Sequence, residues 1–360
     1  MPIDADALRP QFAWLPVETI RRTFDATTQY YRMPASTYLK KAYKSPFPAL
    51  NIHRRGEPLG TDTVYADTPA IASGATSAQF FVGTDTLVAD IYGMKTDKQF
   101  VNTLLDNIRT RGAPTKLISD RAQLQTSNKV KDILRYYMVG DWQSEPYHQN
   151  QNPAERHYQN IKRMANVLLD RTGAPASYWL FAMQHACFIH NHVALQRLGW
   201  VTPIAALTGS TPDISPLLEF EFYEPVYYKL QEPGFPSESC EGLARFAGIA
   251  ENVGHAMTFK LITDDTRHLI MRSEIRTARD PASLNRRLPL PLPDARPTII
   301  DTPQHDAPIV ETLADKTNFQ GAFSQKRAGR IIQYLAFKRD TAFVFCRARG
   351  IKYRWSNVPR

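Results

Sequence analysis

Apolar positions along this chain change period several times, and each change predicts an element. Ile20 and Phe24 lie on one side of a short amphipathic stretch with the Arg21-Arg22 pair on the other; Lys40, Lys41, Lys44 and the loop-like SPFPALNIHRRGEP follow. Residues 1–55 therefore read as a helical, basic lead-in. From Thr63 the runs TVYADTPAI, AQFFVGTDT and LVADIYGM are β-rich and divided by short turns, which predicts an antiparallel meander. Thr96 can then cap a helix whose apolar face is Phe100, Leu104, Leu105 and Ile108, closed by Gly112. KLIS reads as a buried strand ending at Asp120. Val130, Ile133, Leu134 and Tyr137 predict another helix, with a short strand near Trp142 after it.

The sharpest helical signal is NPAERHYQNIKRMANVLLD. Asn152 suits an N-cap, Pro153 the first helical position and Glu155 the third, as in a capping box. Three strands, a helix, a strand, a helix, a strand and a long helix predict a mixed sheet with helices on its faces, the ribonuclease H-like order, over residues 56–215. Further helices are expected around Ser177–His192 and Pro203–Leu207. YEPVYYKL, ARFAGIA, MTFKLIT and LIMRSEIRT then predict a small SH3-like β barrel over 216–280. Asp280–Pro308 holds seven prolines, so 281–320 is expected to be an extended, disordered linker. In 321–360 Phe, Tyr and Trp alternate with Lys and Arg, a basic aromatic tail of a kind that suits nucleic-acid stacking.

Composition narrows the class. The chain has 360 residues, long enough for more than one domain, and is 43% apolar. No run of 18 apolar residues occurs, so no membrane helix is expected, and MPIDADALRPQF lacks the basic start of a signal peptide. Cys187, Cys240 and Cys346 stand far apart, which argues against a disulfide framework and for an intracellular protein. Ten of the 44 Lys/Arg but one of the 35 acids lie from Gly321 onward, leaving 34 of each sign before it. The formal charge of +9 is thus a property of the tail, and only a local patch could make the body bind DNA.

Three acids stand out by position. Asp67 is read as lying in the first strand, Asp120 follows the fourth, and Glu155 opens the long helix; in a ribonuclease H-like sheet these can converge. Clustered carboxylates repel unless divalent cations sit among them, and an all-oxygen set suits Mg²⁺ or Mn²⁺. Gln159, Lys162 and Asn166 share a helical face with Glu155, while Ile161, Ala165, Leu168 and Leu169 should be buried. Asp85, Asp90, His148, His157, His185, His190 and His192 are read first as turn, edge, core or helix-end residues rather than ligands.

LISDRAQ and PYHQNQNPAERHYQNIKR, with 34 residues between Asp120 and Glu155, resemble the D,D-35-E signature of retroelement integrases. GTDTLVADIYGMKTDK, DRTGAPASYWLFAMQHACFIHNHV, TPIAALTGSTPDISPL, VYYKL and ARFAGIAENVGHAMTFKL resemble segments of the copia-like branch, so the resemblance runs over roughly residues 60–278. It implies a DNA strand-transferase with metal-binding acids Asp67, Asp120 and Glu155 and DNA contacts at Asn152, Arg156, Gln159 and Lys162. It further implies Mg²⁺ or Mn²⁺ as cofactor, element ends and target DNA as partners, self-association, and action in the nucleus. Arg121-Ala122 stand where the family has Asn-Gly, and no cysteine precedes Cys187, so the family's N-terminal zinc module is missing. A catalytically inactive DNA-binding remnant, a ribonuclease H-like nuclease and a protein-interaction module are the alternatives.

Overall fold

The computed structural model describes residues 4–30, 51–119, 127–143 and 153–288, and two strands further on. The chain divides into one unit to Leu290 and a second from Pro291. In the first unit α1 (Val17–Ala26) is the lead-in helix, with Ile20 buried. Strands β1 (Pro58–Tyr65), β2 (Ser77–Gly83) and β3 (Ala89–Met94) form the antiparallel meander. Helix α2 (Phe100–Arg111), strand β4 (Lys116–Ser119), helix α3 (Asn128–Tyr136) and strand β5 (Gly140–Gln143) follow, then the long helix α4 (Pro153–Thr172). The sheet order is β3-β2-β1-β4-β5, with β4 parallel to β1 and β5 parallel to β4. This mixed five-stranded sheet is consistent with the ribonuclease H-like order expected from sequence.

Both sheet faces are covered, which explains why all seven residues of β2 are buried. One face packs Leu59, Phe81 and Leu117 against Leu104 of α2 and Val130 and Leu134 of α3. On the other, Val64, Phe80 and Val82 meet Ile161, Ala165 and Leu168 of α4 and Leu180 and Phe181 of α5 (Trp179–His192). Gly112 closes α2 at φ 97°, where a Cβ would come within 2.8 Å of the His53 carbonyl oxygen. Thr96 does not cap α2 through its side chain; it precedes a 3₁₀ turn, Asp97–Gln99, that leads into the helix.

Beyond α6 (Pro203–Thr208) and α7 (Ser215–Glu219) lies a second sheet of β6 (Pro225–Lys229), β7 (Glu241–Ile249), β8 (Phe259–Thr263), β9 (Leu269–Arg272) and β10 (Ile275–Thr277). Its order is β10-β6-β7-β8-β9, all antiparallel. It is an open sheet rather than the expected barrel, because its edge strands β9 and β10 are not hydrogen-bonded to each other. Phe220, Phe222, Phe246 and Phe259 extend the α4/α5 core into this sheet, so the two sheets share one apolar interior. Arg111 ties them together: its largely buried guanidinium grips Asp90 at 2.8 Å and Glu251 at 3.1 Å.

Residues 281–288, which composition assigned to an extended linker, are held by hydrogen bonds. Asp280 caps the turn Pro281–Ser283 by accepting from the Ala282 amide, and Arg287 donates to the carbonyls of Pro236, Ser237 and Glu238. These bonds hold 281–288 against the second sheet; 289–320 lies outside the described residues. In the second unit, β11 (Arg339–Cys346) and β12 (Ile351–Asn357) pair as an antiparallel hairpin with a register shift between Thr341 and Ala342. Alternating aromatic and basic residues are a strand pattern, which the reading of this segment as a tail did not use.

Candidate active site

The central strand β1 decides where chemistry can sit. Its parallel register with β4 runs Pro58 to Lys116, Leu59 to Leu117 and Gly60 to Ile118. One step further brings Thr61 level with Ser119, the last residue of β4, and Asp62 lies one step beyond that. Asp120, joined to Ser119, is outside the described residues, as are Asn152 and His148.

Side-chain alternation assigns Asp62 to a face. Leu59 belongs to the α2/α3 core and Val64 to the α4/α5 core, so the even-numbered residues of β1 share the α4 side. Asp62 stands opposite Phe80 in the antiparallel register with β2. The Phe80 ring lies 6.1 Å from Tyr158 on α4. Glu155 is three residues before Tyr158, in the first turn of the same helix, so Asp62 and Glu155 lie towards the same margin between sheet and helix. Both are half-buried, and the Asp62 carboxylate accepts from the Thr63 amide at 2.8 Å.

Asp67 does not belong to this arrangement. Strand β1 ends at Tyr65, and Asp67 is exposed two residues beyond it, accepting from the Thr68 hydroxyl at 3.1 Å. The neighbouring Thr68 carbonyl accepts from Trp179 Nε1 at 2.9 Å, which ties this turn to the start of α5. The three strand steps from Asp62 to Tyr65 alone span roughly 10 Å at about 3.3 Å each, and the chain turns away beyond them, so Asp62 and Asp67 do not serve one centre. Sequence reasoning missed Asp62. The signal was the alternation in GTDTVY, which sets Asp62 and Val64 on one side, together with a strand end that only the Pro69 turn reveals.

Helix α4 presents the expected faces, except that Leu169, expected to be buried, is half-buried. Ile161, Ala165 and Leu168 are buried, while Arg156, Gln159, Lys162 and Asn166 are exposed. Lys162 Nζ stays 5.8 Å from the Tyr158 ring centroid, close to the Glu155 flank. On the opposite flank, His157 Nε2 faces the Arg197 guanidinium at 3.5 Å, and its ring lies 6.5 Å from that of His190. Burial, then Arg197 and Arg156, hold the His157 imidazole below its ordinary pKa.

The remaining candidates have structural roles. Asp90 is buried against Arg111 and Asn107, and Asp85 offers its amide to Glu57, whose carboxylate is paired with buried Arg55 at 2.8 Å. His190 Nε2 and His192 Nδ1 contact the carbonyls of Leu87 and Phe188. His185 is buried between Phe222 and Phe246, each ring 5.7 Å away, with neither nitrogen hydrogen-bonded among the described residues. Among the described residues no three His, Cys, Asp or Glu side chains gather as a metal site, and no helix is long and apolar enough to cross a membrane.

No family model matches the chain. No curated protein matches it either. Among solved structures it is similar to a chain of the cryo-EM structure of a simian T-cell lymphotropic virus intasome in complex with PP2A regulatory subunit B56 gamma, at 15% identity, covering 64% of this chain and 84% of that one, with a TM-score of 0.34. A likeness that slight carries no weight beside the sheet order and the register of β1.

Proposed function

We propose that this chain is an integrase-type polynucleotidyl transferase that trims DNA ends and joins them to a target, with Asp62, Asp120 and Glu155 as its carboxylates. The observation that carries the reading is the β1–β4 register. Gly60 stands opposite Ile118, Asp62 follows two residues on along β1 and Asp120 two residues on in sequence, and Phe80, opposite Asp62, packs on Tyr158 of α4, three residues after Glu155. The resemblance of LISDRAQ and NPAERHYQNIKR to the copia-like signature points the same way, with Asp62 taking the part first read for Asp67.

The donor set fits hard divalent cations. Asp62 and Glu155 are oxygen donors at half-buried positions, and carboxylates brought together repel unless cations sit among them. Mg²⁺ or Mn²⁺ held by the three carboxylates would activate an attacking hydroxyl and stabilise the leaving oxygen of a phosphodiester. Asp62 sits on the central strand, fixed by β2 on one side and β4 on the other, a rigid seat for a group that must hold its geometry. Glu155 rides on a helix anchored by Ile161, Ala165 and Leu168. Arg156, Gln159 and Lys162 lie on the exposed surface beside it and would hold the DNA backbone. The β6–β10 sheet would add a second DNA surface. Joining two ends requires two active sites, so a homo-oligomer is part of the proposal.

An assay with labelled oligonucleotide ends, Mg²⁺ and the full chain tests the reading. Joined product is the expected outcome; DNA binding without trimming or joining would assign the chain to an inactive remnant of such an enzyme.

A further inference from the structure

The two flanks of α4 differ, and the one away from Glu155 carries charge that the proposed chemistry does not use. At 100° per residue, Glu155 and Lys162 lie on the edge facing β1 and β2, whereas His157 lies on the edge facing α5. Arg156 and Arg163 form the exposed ridge between them. Against His157 stands Arg197, presented by a short turn, Gln196–Leu198, at the end of α5. The turn is pinned by the bridge between Leu195 and Val201 and by Gly199 in the left-handed region at φ 67°. Arg197 Nη1 is 3.5 Å from His157 Nε2. A guanidinium has only N–H groups to offer, so this contact steers the cation without neutralising it.

Neither Arg156 nor Arg197 has an acidic partner among the described residues, and both are exposed. Arg163 on the same ridge likewise has no acidic partner among the described residues, whereas Arg22 on α1 is paired with Glu18 at 2.9 Å. Like charges drawn together without acids repel, and the arrangement is favourable when a polyanion spans them. The spacing also suits a polymer rather than a single ion. Arg156 and Arg197 sit on opposite sides of the His157 edge of a helix about 10 Å across, so one small anion is a poor match for the whole ridge.

We infer that Arg197, steered by His157, is a nucleic-acid phosphate contact, and that the backbone bound at the Glu155 edge continues over Arg156 to the α5 side. The inference rests on the proposed function for the identity of the polymer, duplex DNA. It places the bound duplex across α4 rather than along one side of it, and makes the Gln196–Leu198 turn part of the DNA-binding surface.

Binding of the full chain to a labelled duplex of arbitrary sequence, titrated at several salt concentrations, tests it. Arg197→Glu is expected to weaken binding and to lower the slope of log K against log salt by about 0.9 or more, the share of one phosphate contact. Arg197→Lys keeps the charge and should retain most of the slope, which separates lost charge from a disturbed turn. An unchanged slope for Arg197→Glu overturns the inference. So does polyglutamate that binds the wild-type chain in an Arg197-dependent way with duplex failing to compete, which would assign the cluster to acidic peptides. The two proposals fail separately. Wild-type chain that binds duplex through Arg197 yet joins no ends removes the joining activity alone. Chain that joins ends while Arg197→Glu keeps its slope removes the Arg197 contact alone.

Discussion

At the scale of single residues, the difference between Asp62 and Asp67 shows where a sequence stops being legible. TVYADTPAI reads as one strand because every position up to Pro69 tolerates extended backbone, so its last acid looks like part of the sheet. In the structure β1 ends at Tyr65, the Ala66 amide donates to Thr76 and the Ala70 amide to Ala75, so Asp67 falls in the turn after the strand. Which acid lies level with the end of β4 depends on a pairing between segments more than fifty residues apart, and no local pattern encodes that. The histidines of α5 were legible as core residues, and they make a pH prediction. Burial pushes His185 down to about 3 and His190 down to about 4. An unfolded histidine titrates near 6.5, so between that value and the folded one the unfolded chain binds more protons. The stability that neutral His185 contributes is therefore full above about pH 6.5 and is lost progressively as pH falls towards 3. Each histidine adds a slope of up to about 1.4 kcal/mol per pH unit within its window. Urea unfolding from pH 7.5 to 4.5 should show steep acid destabilisation, and His185→Phe should reduce the slope; a variant as pH-sensitive as the wild type would show that His185 is not the group responsible.

At the scale of elements, helical period was the most reliable guide. The spacing in NPAERHYQNIKRMANVLLD placed Ile161, Ala165 and Leu168 inside and Gln159, Lys162 and Asn166 outside, as found. The β meander, KLIS and the helices α2 and α3 followed for the same reason: each buries one face, and burial imposes a period on sequence. What period does not carry is closure, since whether β9 meets β10 depends on sheet curvature and not on which residues alternate. Leu168 is fully buried beneath α4, so Leu168→Ala should destabilise the fold by about 2–5 kcal/mol, measurable by denaturant titration. A change under about 1 kcal/mol would mean that α4 is not packed as described. Lys162 is exposed on the Glu155 edge of the same helix. Lys162→Glu should leave stability unchanged and lower the salt slope of duplex binding by about one phosphate contact. An unaltered slope would leave Lys162 merely solvated.

At the scale of the whole molecule, charge and catalysis are distributed differently along the chain. The first 320 residues carry equal numbers of acids and bases, and the excess belongs to the last forty. Ending the chain before Gly321 should therefore lower non-specific DNA affinity and the salt slope by several units, at about 0.9 per phosphate. Identical slopes for the two lengths would show that the basic segment takes no part in binding. The carboxylates, by contrast, belong to the unit ending at Leu290, and their assignment is the central claim. It is tested most directly by one strand-transfer comparison, in Mg²⁺, of the wild-type chain with Asp62→Asn, Asp67→Asn, Asp120→Asn and Glu155→Gln. Removing one carboxylate from a two-ion site forfeits several kcal/mol of transition-state stabilisation, at least about a hundredfold in rate. The account predicts that Asp62→Asn, Asp120→Asn and Glu155→Gln fall below about one-hundredth of wild-type joining with duplex binding intact, while Asp67→Asn keeps most of it. An active Asp62→Asn beside a dead Asp67→Asn would contradict it.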